Sequence, residues 1–111
     1  MERVKVYNKL VRDNIPEICK ANGEEPFTRV LTDDEYWEYL LKKDAEELEE
    51  VRTANSSEER KKELSDKLEL IRAMAEFNDF SLDDIIIEAD SKREKNGGFK
   101  KRLLLEKVVK K

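Results

Sequence analysis

The sequence predicts an all-α domain built around a central antiparallel pair of long helices. Three observations lead there. Two stretches, 33–54 and 57–78, carry apolar residues at helical spacing. Each opens on a capping box, Thr32-x-x-Glu35 and Ser56-x-x-Glu59. Charged residues make up 45% of the chain, as in helices with solvated faces.

Each element can be justified in order. Residues 1–13 form an irregular or extended lead. A first helix starts near Asp13 or Asn14 as N-cap, has Pro16 in its first turn, and stops at Asn22-Gly23. Residues 24–31 connect, and 27–31 (Phe27-Thr28-Arg29-Val30-Leu31) suit a short strand. The second helix runs to about Ala54, with a stripe of Trp37, Leu40/Leu41, Asp44, Glu47/Leu48 and Val51. Asn55-Ser56-Ser57 breaks it. The third helix runs to about Asn78 and carries two stripes side by side. One is Leu64, Leu68, Ile71 and Ala75; the other is Glu63, Asp66, Leu70, Ala73 and Phe77. Ser81-x-x-Asp84 opens a fourth helix with Ile85 to Ile87 expected inside, ending before Asn96-Gly97-Gly98. The tail carries Leu103-Leu104-Leu105 and suits a short strand at 102–109. There is no internal repeat or linker, so 1–111 reads as a single domain.

Bulk composition excludes several classes. The net charge is −4, from 23 basic and 27 acidic residues, which argues against non-specific binding to nucleic acid or anionic membrane. No apolar run approaches membrane-spanning length. Cys19 is the one cysteine, so no internal disulfide forms, and it reads as a small buried apolar residue. With no targeting segment recognised, a cytoplasmic protein is expected. There is no histidine, which removes Ser–His and Cys–His catalysis.

The chemistry points to two acidic steps, Asp44-x-x-Glu47 and Glu63-x-x-Asp66. Residues three apart share a helix face. Leu40 and Val51 continue the line of Asp44 and Glu47; Leu70, Ala73 and Phe77 continue that of Glu63 and Asp66. Charges within an apolar stripe are costly, and four carboxylates brought together need a cation. Similar spacings, such as Glu35-x-x-Glu38, occur on what reads as solvated surface, so position rather than spacing singles these out. An oxygen-only site favours a hard ion, Mg²⁺ or Mn²⁺. Bound Mg²⁺ commonly keeps waters and pairs with substrate phosphates.

Three stretches together carry a family resemblance. They are Tyr7-Asn8-Lys9-Leu10-Val11-Arg12-Asp13, then Lys43-Asp44-Ala45-Glu46-Glu47 followed by Glu63-Leu64-Ser65-Asp66, then Lys92 to Phe99 with Arg102-Leu103-Leu104. The chain resembles the all-α NTP pyrophosphohydrolase (MazG-like) superfamily, in the small single-domain branch that begins with such a Tyr-Asn-Lys-Leu-Val-Arg-Asp stretch. The resemblance implies a MazG-like helical bundle that hydrolyses a nucleoside triphosphate to a monophosphate and pyrophosphate. It implies that Asp44, Glu47, Glu63 and Asp66 hold Mg²⁺, with Mn²⁺ as a substitute. A carboxylate free of the metal would accept a proton from water; Glu47 and Glu63 are the catalytic choices because they reach further. Lys92 and Lys95 match the family's basic segment, and Lys9 and Arg12 its N-terminal motif, as phosphate-binding residues. Surface charge is the competing reading for Lys95, Lys9 and Arg12, and an Arg12–Asp13 ion pair is a further one for Arg12. Trp37, Tyr36, Tyr39 and Phe77 read as core or subunit interface before base pocket. One helix pair leaves apolar faces open, and the superfamily also assembles, so a homodimer or larger homo-oligomer is expected.

The sequence departs from the signature at Lys43, which stands where its first Glu falls, and at Asp44, shorter by one methylene than Glu. Lys67 follows Asp66 where an apolar residue is usual, and Asn96 stands in place of a basic residue. Two other readings therefore accompany the first. One is phosphoribosyl-ATP pyrophosphohydrolase, of the same superfamily. The other is a non-catalytic helical interaction module with a degenerate metal site.

Overall fold

Local capping chemistry sets the helix boundaries. The protein is described by a computed structural model over residues 3–111; positions 1 and 2 of the expected lead lie outside the described residues, and 3–12 are irregular. Four helices follow among the described residues: α1 (Ile15–Ala21), α2 (Asp33–Thr53), α3 (Ser57–Phe77) and α4 (Leu82–Asn96).

Helix α1 closes with a Schellman turn in which Gly23 adopts φ +78°. There the Gly23 N–H donates to Lys20 O (3.0 Å) and the Glu24 N–H to Cys19 O (2.9 Å). At α2 both halves of the capping box form. The Glu35 N–H donates to Thr32 Oγ1 (3.3 Å) and the Thr32 N–H to Glu35 Oε1 (3.1 Å). Arg29 adds a two-pronged contact to Glu35 at 3.1 and 2.7 Å. At α3 only half the expected box forms: Ser56 Oγ accepts from the Glu59 N–H (3.1 Å), while Glu59 Oε2 accepts from the Asn55 N–H instead (2.8 Å). The box at Ser81 and Asp84 is complete. Helix α3 ends in a second Schellman turn, with Asp79 at φ +64° in the place glycine takes after α1.

Helices α2 and α3 form the antiparallel pair. Trp37 stacks on Phe77 (5.5 Å), Asp44 meets Lys67 (2.7 Å), and Glu47 gathers with Glu63. Position numbers rise along α2 as they fall along α3, which defines the direction. Leu40, 1% exposed, is the fully buried side chain at the centre, with Leu70 and Ala75 beside it. The stripe of α3 that faces α2 is the one carrying Glu63, Asp66, Leu70, Ala73 and Phe77. Of the parallel stripe, Leu64, Leu68 and Ile71 are exposed and Ala75 is buried.

Three expectations are corrected. The strands at 27–31 and 102–109 do not form; no strand occurs among the described residues. A strand needs a neighbour for its N–H and C=O groups, and here Phe27, Val30 and Leu103 to Leu105 stand in solvent unpaired. Ile85 to Ile87 are exposed rather than inside, because α4 packs on α3 alone and one neighbour cannot cover it. Cys19 is half-buried, since α1 is too short to enclose it.

The single chain is open and elongated, 72 × 35 × 24 Å, with a radius of gyration of 19.0 Å. A compact chain of this length has about 13 Å. Its accessible surface is 10,814 Å², against about 6,400 Å² for a folded monomer of this mass. No helix among the described residues is long and apolar enough to cross a membrane.

Candidate metal centre

Glu47 projects from α2, and Glu63 and Asp66 from one turn of α3. Each offers a carboxylate oxygen, and these atoms lie within 4.8 Å of one another. The helix pairing brings them together: the three-residue step puts Glu63 and Asp66 on the α3 face that packs on α2. An ion with oxygen bonds of about 2.0–2.6 Å spans donor pairs of about 3–5 Å, so the cluster fits a hard divalent ion.

Glu47 is the carboxylate of the three with an unmet demand. Its Oε2 is buried and has no hydrogen-bond partner. Burial, then contact with Glu63, then repulsion from Asp66 and Glu63 raise its pKa above the usual carboxylate value; Lys43 opposes this weakly. A buried lone oxygen facing two other carboxylates lacks a positive charge. The residues therefore fit Mg²⁺ or Mn²⁺ in donor type, spacing and unmet demand.

The remaining expected site residues fall into different places. Asp44 is not in the cluster; its Oδ1 accepts from Lys67 Nζ at 2.7 Å. Arg12 does not pair with Asp13; its Nη2 donates to Asp66 Oδ1 at 2.9 Å, joining the N-terminal motif directly to the acidic cluster. Lys9 sits 2.8 Å from Glu46 Oε1, with Lys43 at 3.9 Å from the other oxygen. These cations hold Glu46 below the usual carboxylate value, the Lys9 hydrogen bond first. Lys92 and Lys95 are exposed near the end of α4, and no ion pair among the described residues joins them to the cluster.

Glu46, within the signature stretch but given no role there, and Lys67, a departure given no partner, are both engaged by ion pairs. Aromatic residues close one end of the pair, Tyr36 edge-on and Trp37 stacked against Phe77, all three half-buried. A cleft of about 190 Å³ lies between 7–10 and α2, bordered by Tyr7, Lys9, Tyr39 and Lys43. The larger depression, about 490 Å³ at the α3–α4 turn beside Arg72 and Phe80, contains none of the acidic cluster. The cleft contains none of it either; its lining reaches Lys43 and Glu46 on α2, beside Glu47 in the sequence.

Comparison with known proteins adds little to this. No protein-family model matches the chain. No solved structure matches it. The chain is 50% identical over 48 residues to an uncharacterized protein of Mycolicibacterium smegmatis, a match covering 43% of this chain and 49% of that one. The chain thus spans about half the length of the curated relative it matches.

Proposed function

We propose that this chain is a Mg²⁺-dependent pyrophosphohydrolase of the all-α, MazG-like kind, cleaving a nucleoside triphosphate to a monophosphate and pyrophosphate. The observation that carries the reading is the convergence of Glu47, Glu63 and Asp66 around a buried, partnerless Glu47 oxygen. Arg12 of the N-terminal motif on Asp66 supports it, because it sets a phosphate-binding side chain at the rim of the acidic cluster.

When bound, the ion would neutralise phosphate charge and make water more acidic. Glu47, Glu63 and Asp66 would hold it. Glu47 and Glu63 are the residues from which a proton acceptor is drawn. Arg12, on Asp66, and Lys9, on Glu46 beside Glu47 in the sequence, would grip phosphate oxygens, with Lys92 and Lys95 on α4 as the further basic residues of this reading. The acidic balance of the chain disfavours nucleic acid as the substrate. A cytoplasmic setting suits a nucleotide substrate.

The active form in this reading is a homodimer or larger homo-oligomer. The support is the excess surface, about 4,400 Å² per chain. Each partner of an obligate dimer covers about 1,000–2,500 Å², so the excess favours more than one covered face. Leu64, Leu68 and Ile71 on α3 and Ile85 to Ile87 on α4 are the exposed apolar groups concerned.

A second reading, a non-catalytic helical module, is favoured by one observation: the Lys67–Asp44 pair removes one carboxylate from the site. Pyrophosphate release from a panel of ribo- and deoxyribonucleoside triphosphates, with and without Mg²⁺, separates the two. Enzymatic function predicts Mg²⁺-dependent release that Glu47→Gln abolishes. No release from any nucleotide by folded protein favours the module.

A further inference from the structure

The sequence offers four carboxylates, but the fold gathers three. Asp44 lies one turn before Glu47 on α2, and its Oδ1 is engaged by the Lys67 ammonium at 2.7 Å. Lys67 directly follows Asp66 on α3, so the ammonium is carried by the same turn that supplies two of the clustered carboxylates. With its side chain 22% exposed, Lys67 is better shielded than Lys9 or Arg12, at 50% and 58%. Shielding separates this contact from an ordinary surface pair, which water and salt weaken.

Resting on the reading of the acidic cluster as a metal site, we infer that Lys67 is a resident cation that takes the place of a second divalent ion and limits the site to one. The charges agree. Lys67 pairs with Asp44 and Arg12 with Asp66, which leaves Glu47 and Glu63 as the two carboxylates of the four without an ion pair among the described residues. The two left over are what one divalent ion neutralises. A second ion would have to displace an ammonium already hydrogen-bonded to Asp44, with no free carboxylate to receive it. Lys67 thereby becomes a positioning residue: it holds Asp44 off the metal and sets a fixed positive charge beside the cluster, where phosphate oxygens meet it.

Mn²⁺ binding to the full chain, followed by calorimetry and by electron spin resonance of free Mn²⁺, tests this without any nucleotide. The wild type should bind one Mn²⁺ per chain. Asp44→Asn should leave that affinity within about threefold, because Asp44 is not a ligand, whereas Glu47→Gln should weaken it by about tenfold or more. Lys67→Met, similar in volume, frees Asp44 and should bind Mn²⁺ about tenfold more tightly or take up a second ion. Lys67→Arg keeps the charge and should behave as the wild type, which controls for a folding defect in Lys67→Met. Two ions in the wild type, or an Asp44→Asn loss as large as that of Glu47→Gln, overturns the role of Lys67 while leaving the metal site standing. Lys67→Met binding as the wild type overturns it likewise. Equal binding by Glu47→Gln and wild type overturns the metal site itself, and the inference with it.

Discussion

Glu47→Gln should stabilise the ion-free protein while weakening its response to Mg²⁺, a combination that a purely structural glutamate would not show. In the wild type the Glu47 carboxyl is partly buried, its Oε2 has no partner, and Glu63 and Asp66 face it. Its raised pKa means the folded state holds the Glu47 proton to higher pH than the unfolded chain does. Where the folded state binds more protons, stability falls as pH rises. The loss begins near the ordinary value of 4.5 and is complete above the raised one. Gln cannot ionise, and its amide can donate to Glu63 or Asp66. Satisfying a buried acceptor's surroundings contributes about 1–2 kcal/mol. For a chain of 111 residues, the unfolding entropy is about 0.23 kcal/mol per kelvin. The melting temperature in chelator at neutral pH should therefore rise by about 4–9 °C. Below pH 4.5 the advantage should shrink, because the wild-type carboxyl is then protonated too. Adding Mg²⁺ should stabilise the wild type and leave the variant nearly unmoved. Differential scanning calorimetry at several pH values, with and without Mg²⁺, reads all of this. A variant less stable than wild type in chelator, or one with an undiminished Mg²⁺ response, contradicts this role for Glu47.

Other consequences are simpler. Leu40→Ala, at the fully buried position, should cost about 2–5 kcal/mol, seen as a lower urea midpoint. Thr32→Ala removes the Oγ1 cap of α2 and should cost about 1 kcal/mol, read from thermal melts. Glu35, whose pKa falls to about 2 through its Arg29 hydrogen bonds and then the Thr32 N–H, contributes stability above pH 4.5 that is lost as pH falls towards 2. NMR titration of Glu35 in Arg29→Ala should show its pKa moving back up. Light scattering should give at least twice the 13.1 kDa chain mass, and Ile86→Asp should reduce it; a monomeric wild type at micromolar concentration contradicts the assembly.

The features legible in the sequence were those set by neighbouring residues. Thr32, Ser56 and Ser81 marked their helix starts because an N-cap needs only its own side chain and the next turn. The acid-bearing stripe of α3 was visible because three-residue spacing is local too. What escaped depends on partners far along the chain. Segments 27–31 and 102–109 have strand composition, but composition supplies no neighbouring strand. Ile85 to Ile87 look like core until α4 proves to have one packing neighbour. Asp44 shares a helix face with Glu47, yet its fate is decided by Lys67 on the other helix, which spacing within α2 cannot reveal. Arg12 meets Asp66 across 54 positions for the same reason.

In the proposed function, three carboxylates gathered by α2 and α3 direct Mg²⁺-dependent cleavage between the α and β phosphates. Phosphorus NMR of the wild-type chain with a nucleoside triphosphate identifies the bond broken. The prediction is monophosphate plus pyrophosphate, formed only with Mg²⁺ and absent with Glu47→Gln and Glu63→Gln. Diphosphate plus orthophosphate, or triphosphate left intact by every folded preparation across the nucleotide panel, contradicts it.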